Sequence, residues 1–258
     1  KIWHFAHGAL FTIAAYCIWL VNTRLQMPLW LGFLVAILVA SLVVLLVEKV
    51  VYDTLRKKRA PSLIFFVSSL ITSALLQNLL TLIFTTDAKS YPAASAQGSG
   101  IVIGTATLPW LDMVSVLTSL GLAGLFLILY RYSAWGQMMK ATSENPDMAE
   151  IIGIPVKRIY RLAFIVGTLL AIPAAYLVSV HQGITPTSGF DILLIAVTAS
   201  VVGGLGKVSG AILGAYVVGF LESFGVWKIS SDWQTAIVFG LLFFVIILKP
   251  NGLLVKGA

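Results

Sequence analysis

Three histidines (His4, His7 and His181), one cysteine (Cys17) and the glycine-rich run GGLGK are the places in this 258-residue chain where residue type and spacing could do chemistry. None completes a reactive set. A lone cysteine can form no internal disulfide and has no partners for a metal site. Gly206–Lys207 looks like the end of a phosphate-binding GxxxxGK[ST] loop, but Val201 stands where the first glycine belongs and Val208 where Ser or Thr would hold the metal. No HExxH and no GxSxG occurs. The sequence predicts no catalytic residue, no metal site and no cofactor held by this chain.

The elements that would have to position such residues are greasy. Hydrophobic residues make up 59% of the chain and charged ones 10%, against about 25% charged in soluble domains; mean hydropathy is +0.98. Continuous Leu/Ile/Val runs of the length a spanning helix needs exclude an alternating β-barrel. The net charge of +7 does not point to nucleic acid, because Lys and Arg gather in a few loops rather than along a basic helix. The chain opens at Lys1 with neither Met nor a basic leader, so no signal peptide is expected and the start looks internal, with native sequence expected upstream.

Hydropathy and punctuation give about eight apolar segments: 8–21, 28–51, 61–85, 110–130, 162–180, 192–202, 208–224 and 233–248. Placing Arg56, Lys57, Lys58 and Arg59 inside puts 87–109 outside, 131–161 inside, 181–191 outside, and Lys207, Lys249 and Lys256 inside. Only Arg24, Lys89 and Lys228 then fall outside, as the positive-inside rule expects. The tryptophans, Trp3, Trp19 and Trp30 among them, fall near segment ends, where the interface favours them. Segments 192–202 and 208–224 read as short for a span, and short, Gly/Pro-interrupted segments point to a translocation path; a kinked helix in a bundle is the plainer reading. Gly206, Gly210 and Gly214 recur every fourth residue, beside Gly203 and Gly204, as a helix-packing face.

Ionisable residues are nearly absent from the span interiors; Glu48, Lys49, Asp191 and Glu222 sit near ends. Ion- and proton-coupled carriers keep such groups inside. The chain therefore reads as a pathway without its own energy source. One polar stretch interrupts it: ATSENPDMAEIIGIPVKRIYRL. Asn145 can cap a short helix, Pro146 suits its first position, Asp147 and Glu150 complement its positive end, and Gly153 with Pro155 stops it. Met148, Ile151 and Ile152 give that helix one apolar stripe. Two turns are not stable alone, so the stripe must dock, on the protein's own loops or on a partner.

On these residues the chain resembles the membrane subunits of branched-chain amino acid ABC importers, of the H rather than the M type. HFAHGALFTIAAY is similar to the family's AHGA stretch and ATSENPDMAEIIGIPVKRI to its cytoplasmic coupling segment. TPTSGFDILLIAVTASVVGGLGKVSGAILGAYVVGFLES is similar to its glycine-rich second half and LKPNGLL to its close, so the likeness covers nearly the whole chain. Two departures are the start, since the family usually carries one more apolar segment before AHGA, and Lys207, where the family more often has Ser.

The resemblance implies an all-α polytopic bundle of the importer permease type shared with sugar permeases. It implies a single membrane domain over 1–258, with a coupling segment at about 133–160. A second permease subunit, homologous or identical, would complete the pathway. Two cytoplasmic ATPase subunits would bind ATP and Mg and power it, and an extracytoplasmic binding protein would deliver the solute. Coupling then falls to Glu144, Asn145, Pro146, Asp147, Met148, Ala149, Ile151, Ile152 and Gly153. The solute path is expected beside the interrupted elements at His7, Gly8 and Ala9 and at Thr185, Pro186, Thr187 and Gly189, where free backbone groups can meet a polar solute. The family also carries urea, short amides and other amino acids, so those solutes stand as alternatives. An ion-coupled transporter, disfavoured by the bare spans, and a membrane-bound enzyme or scaffold are the readings of other classes.

Overall fold

The computed structural model describes residues 4–91, 100–103, 106–228, 230, 233–249 and 252. Expectations for Trp3, Lys256, residues 92–99 and 104–105 of the outer loop, and most of LKPNGLL lie outside the described residues. The chain divides into two compact units, Lys1–Phe190 and Asp191–Ala258.

In the first unit α1 (Ala6–Trp19) runs on through a π turn at Leu20–Arg24. Helix α2 (Leu29–Val47) continues through a second π turn, Glu48–Tyr52, into α3 (Asp53–Lys57). After α4 (Ser62–Phe84), strands β1 (Gly100–Ile103) and β2 (Ala106–Pro109) pair antiparallel, with Gly100 opposite Pro109. Then come α5 (Trp110–Tyr132), α6 (Ala134–Glu144), α7 (Pro146–Ile151) and α8 (Val156–Gln182), and α9 (Ser188–Gly203) starts at the unit's end. The second unit holds α10 (Val208–Lys228) and α11 (Gln234–Leu248). Among the described residues, six helices are long and apolar enough to cross a membrane, and Ser188–Gly203 and Ala236–Leu248 are shorter apolar helices. The chain is an all-α polytopic membrane protein.

Helix α1 is the core of its unit. Nearly every residue of it is buried, and α2, α4 and α8 all pack on it. Small residues make that possible. Gly32, Ala36, Ala40 and Val44 place a narrow stripe of α2 inward at every fourth position, and a Cβ on Gly32 would stand only 3.3 Å from Ile18. Close backbone approach of this kind drives helix association in lipid, where burial of apolar surface supplies little. The outward faces are Leu, Ile and Val, such as Leu38 at 69% and Leu42 at 61% exposure. Aromatic packing closes the basic end: Val47, Tyr52 and Phe65 form a buried cluster with Phe164 against it.

Three expectations are corrected, and the shortness of α9 is borne out. The segment at 208–224 is not short: α10 has 21 residues, its Gly225 lying against the Ile237 side chain rather than ending the helix. Helix α9 has 16 residues, about 24 Å at 1.5 Å per residue, short of a hydrocarbon core of about 30 Å. The segment at 133–160 holds α6 and the start of α8 besides the expected short helix α7, because Ser133 caps α6 by accepting from the Gly136 amide at 3.0 Å. Trp19, expected to face the interface, is buried in the protein, its indole donating to the Ser90 carbonyl at 3.1 Å.

Candidate functional site

The stretches around Gly8 and Gly189 meet. After α8 ends, Gly183 takes φ +77, a left-handed conformation that glycine adopts without cost. Ile184 then pairs with Lys89 through two backbone bonds of 2.8 and 2.9 Å. Tyr91, two residues on, is buried and donates its hydroxyl to the Ala15 carbonyl at 2.9 Å; burial pushes that phenol above its ordinary pKa. The chain next turns inward. Ser188 Oγ accepts from the Thr185 amide at 3.0 Å, and the Gly189 amide donates to the Thr12 hydroxyl of α1 at 3.0 Å. Thr12 in turn donates to the Gly8 carbonyl at 3.2 Å.

The sequence reading put all of 181–191 outside; its latter part instead packs into the helices. The cause is glycine. A Cβ on Gly189 would overlap the Gly8 carbonyl and the Thr12 hydroxyl. Irregular backbone at membrane depth survives only where protein satisfies it, and Thr12 supplies the acceptor. Thr12 was missed by sequence reasoning. The signal was its place one turn after Gly8, a hydroxyl inside a span with no stated role.

The predicted path residues sort into two groups. Gly8, Ala9, Pro186 and Gly189 are buried, Gly8 and Gly189 in the contact itself. His7 and Thr185 are partly open, and Thr187 is exposed. The Thr185 and Thr187 hydroxyl oxygens lie 3.2 Å apart, and Thr185 Oγ1 is 2.8 Å from Ser188 Oγ. His7 lies near Gly167 of α8, where an added Cβ would reach its ring at 3.7 Å, and its ring centre is 5.8 Å from that of His4.

The coupling segment is built as a capped helix. The Asn145 side chain accepts from the Met148 amide at 3.1 Å, Pro146 opens α7 and Asp147 lies in its first turn. Gly153 holds φ +87, and Ile154 returns its amide to the Ala149 carbonyl at 2.9 Å. Ala149 faces inward, while Glu144, Asn145, Pro146 and Asp147 are exposed. The apolar stripe is bare: Met148 is 55%, Ile151 77% and Ile152 69% exposed.

The glycines divide likewise. Gly203 and Gly210 oppose each other's carbonyls, and Gly214 meets the Ala199 carbonyl, so α9 and α10 cross backbone to backbone. Gly206 is not on that face. It lies exposed in the turn, at φ +90, with Gly204 at φ +106 beside Gly252. The fourth-residue spacing therefore begins inside α10, at Gly210.

Residues 1–247 match the family model described as "Branched-chain amino acid transport system / permease component". The chain is similar to the high-affinity branched-chain amino acid transport system permease protein BraD of Pseudomonas aeruginosa, at 31% identity over 97% of this chain and 85% of that protein. It is similar to the permease protein LivH of the same kind of system in Escherichia coli, at 30% identity over 97% of this chain and 85% of that one. Among solved structures, it resembles PsaBC from Streptococcus pneumoniae in complex with Fab at a TM-score of 0.49 and 14% identity, over 95% of this chain and 81% of that chain.

Proposed function

This chain belongs to the family of branched-chain amino acid transport system permease components, and from that premise we propose how it works as the membrane-spanning subunit of an ABC importer. It is a multi-pass protein of the bacterial inner membrane. Its solute is a branched-chain amino acid. Its family works with a partner ATPase and a binding protein. In the finer form of the proposal, two cytoplasmic ATPase subunits bind ATP and Mg, a second permease subunit completes the path, and hydrolysis is never performed by this chain.

The observation that carries the coupling role is α7. A two-turn helix keeps its shape only with caps and tertiary support, and here Asn145 and Gly153 cap it while Met148, Ile151 and Ile152 stay more than half exposed among the described residues. A helix meant to pack on its own loops would bury that stripe. An apolar stripe at i, i+3, i+4 is what a partner groove reads. The ATPase subunit is the occupant.

For the solute, the path runs past His7, Thr185 and Thr187, residues that are not fully buried, while Gly8, Ala9, Pro186 and Gly189 hold the inward turn against α1. Hydroxyls and a neutral imidazole can each donate and accept hydrogen bonds, enough for a zwitterion in transit. Tight recognition is left to the binding protein.

Reconstitution tests this. Proteoliposomes holding the permease pair and ATPase subunits should take up leucine when leucine-loaded binding protein is added outside, with hydrolysis stimulated. Uptake driven by an ion gradient and abolished by ionophores, without ATP, would overturn the proposal. Uptake of urea in place of leucine would overturn the solute alone.

A further inference from the structure

At the basic end of the first unit, the turn below α2 meets α3 and α8 in an ionic contact around one buried carboxylate. Glu48, in the π turn below α2, is 2% exposed. Arg56 of α3 donates to one of its carboxylate oxygens, and Arg161 Nε of α8 lies 3.5 Å from the other. The Arg56 guanidinium also covers the Tyr160 ring, 4.7 Å from its centre. One turn further along α8, Phe164 stacks on Tyr52 with ring centres 5.4 Å apart and planes 5° from parallel. Tyr52 shares a 2.6 Å hydrogen bond with Nδ1 of His4, just ahead of α1.

These contacts form one line. Helix α7 joins α8 through the tight turn at Gly153 and Pro155, so a displacement of α7 is carried directly to Tyr160, Arg161 and Phe164. From there it reaches Glu48, Arg56 and Tyr52 on α2–α3, and through His4 the start of α1, where His7 and Gly8 lie.

We propose that Glu48 is a positioning residue for transport: held between Arg56 and Arg161, it makes the foot of α8 a releasable joint between the ATPase-docking helix and the α1–α2 pair. The two guanidiniums are not equivalent. Arg56 is 19% exposed and bonded directly; Arg161 is 49% exposed and reaches the carboxylate by one long contact. Breaking a buried ion pair is costly because it strands a charge. Here Arg161 can let go while Arg56 still neutralises Glu48, so α8 can swing without that penalty. The inference rests on α7 being the docking helix.

The test uses the whole complex in proteoliposomes, with leucine-loaded binding protein, and reads leucine moved per ATP hydrolysed. Arg161→Gln should assemble and keep basal hydrolysis but lower that ratio about fivefold or more, the lower end of ordinary coupling between sites. Arg161→Lys, which keeps the charge, should retain most of it, and Glu48→Gln should behave like Arg161→Gln. If Glu48→Gln does not assemble, the Arg161 pair decides, since that side chain is half exposed. An unchanged ratio in assembled Arg161→Gln overturns the inference, as does equal loss in the Lys and Gln variants or failure of Arg161→Gln to assemble, which would make the contact structural. Failure of the ATPase subunits to bind the unmodified permease would instead sink the docking of α7 and leave the joint without a driver.

Discussion

The Gly189 amide donates to the Thr12 hydroxyl at 3.0 Å across 177 positions of sequence, and that hydroxyl passes a hydrogen bond on to the Gly8 carbonyl. One side chain thus satisfies the chain's inward turn and fixes it to α1. Thr12→Val keeps the shape and removes both bonds. It leaves a buried N–H without a partner, at about 1–3 kcal/mol. Uptake should fall severalfold and the detergent-solubilised complex should melt earlier, whereas Thr12→Ser should stay near the unmodified protein. Equal uptake in the Val variant would show that the turn is held by something else.

Gly153 separates backbone strain from crowding. It sits at φ +87 with nothing within 4 Å of where a Cβ would go, so a substitution there pays only for the left-handed conformation, about 1–2 kcal/mol. Gly153→Val should reduce ATPase coupling while insertion in the membrane is unchanged. Gly153→Asn, a residue that tolerates this conformation, should couple normally. Solute uptake by the two variants at matched membrane levels is the measurement; no difference between them would remove the cap from the coupling mechanism.

Exposed apolar residues of α7 should matter for association and not for folding. Ile151 is 77% exposed, and a surface change away from special features shifts stability by less than about 0.5 kcal/mol. Ile151→Asp should therefore leave permease yield intact and lower co-purification of the ATPase subunits at least severalfold. Full co-purification would contradict docking through this stripe.

Much of this is legible in the sequence, and the reasons differ by element. Caps at Asn145, Pro146 and Gly153 are local chemistry, so the sequence alone suffices to place α7. Long apolar runs are equally plain, though α10 extends past Phe224 to Lys228, with Gly225 lying against the Ile237 side chain. The Ser133 cap of α6 is local chemistry of the same kind, a weaker signal than the Asn145–Pro146 pair downstream. What could not be read is non-local. Glu48 sits at the margin of its segment by position, yet it is buried because Arg56 and Arg161 come to it from two other helices. Likewise nothing near Thr12 says that an amide 177 residues away will need it.

Gly214 and Gly219 lie five residues apart on α10 and make opposite predictions. A Cβ on Gly214 would run into the Ala199 carbonyl; one on Gly219 meets nothing within 4 Å. Gly214→Leu should force α9 and α10 apart, with overpacking of about 1–3 kcal/mol or more, and lower the yield of folded protein. Gly219→Leu should not. Size-exclusion profiles of the two solubilised variants compare them, and matching monodisperse peaks would discount the close crossing.

The burial of α1 has a consequence for how the chain enters the bilayer. Its small and hydroxyl-bearing face suits α2, α4 and α8, not acyl chains, and it is the least apolar of the six long helices, whereas α2 is the most. Insertion from the ribosome is decided segment by segment on hydrophobicity, before the neighbours that will sheathe α1 have been synthesised. Of the six, α1 is thus the span whose retention leans most on helices made after it, and α2, the most apolar, is the first of these to follow. Lengthening the short turn between α1 and α2 would lay that dependence bare, by prolonging the time α1 spends without the helix that covers its small-residue face.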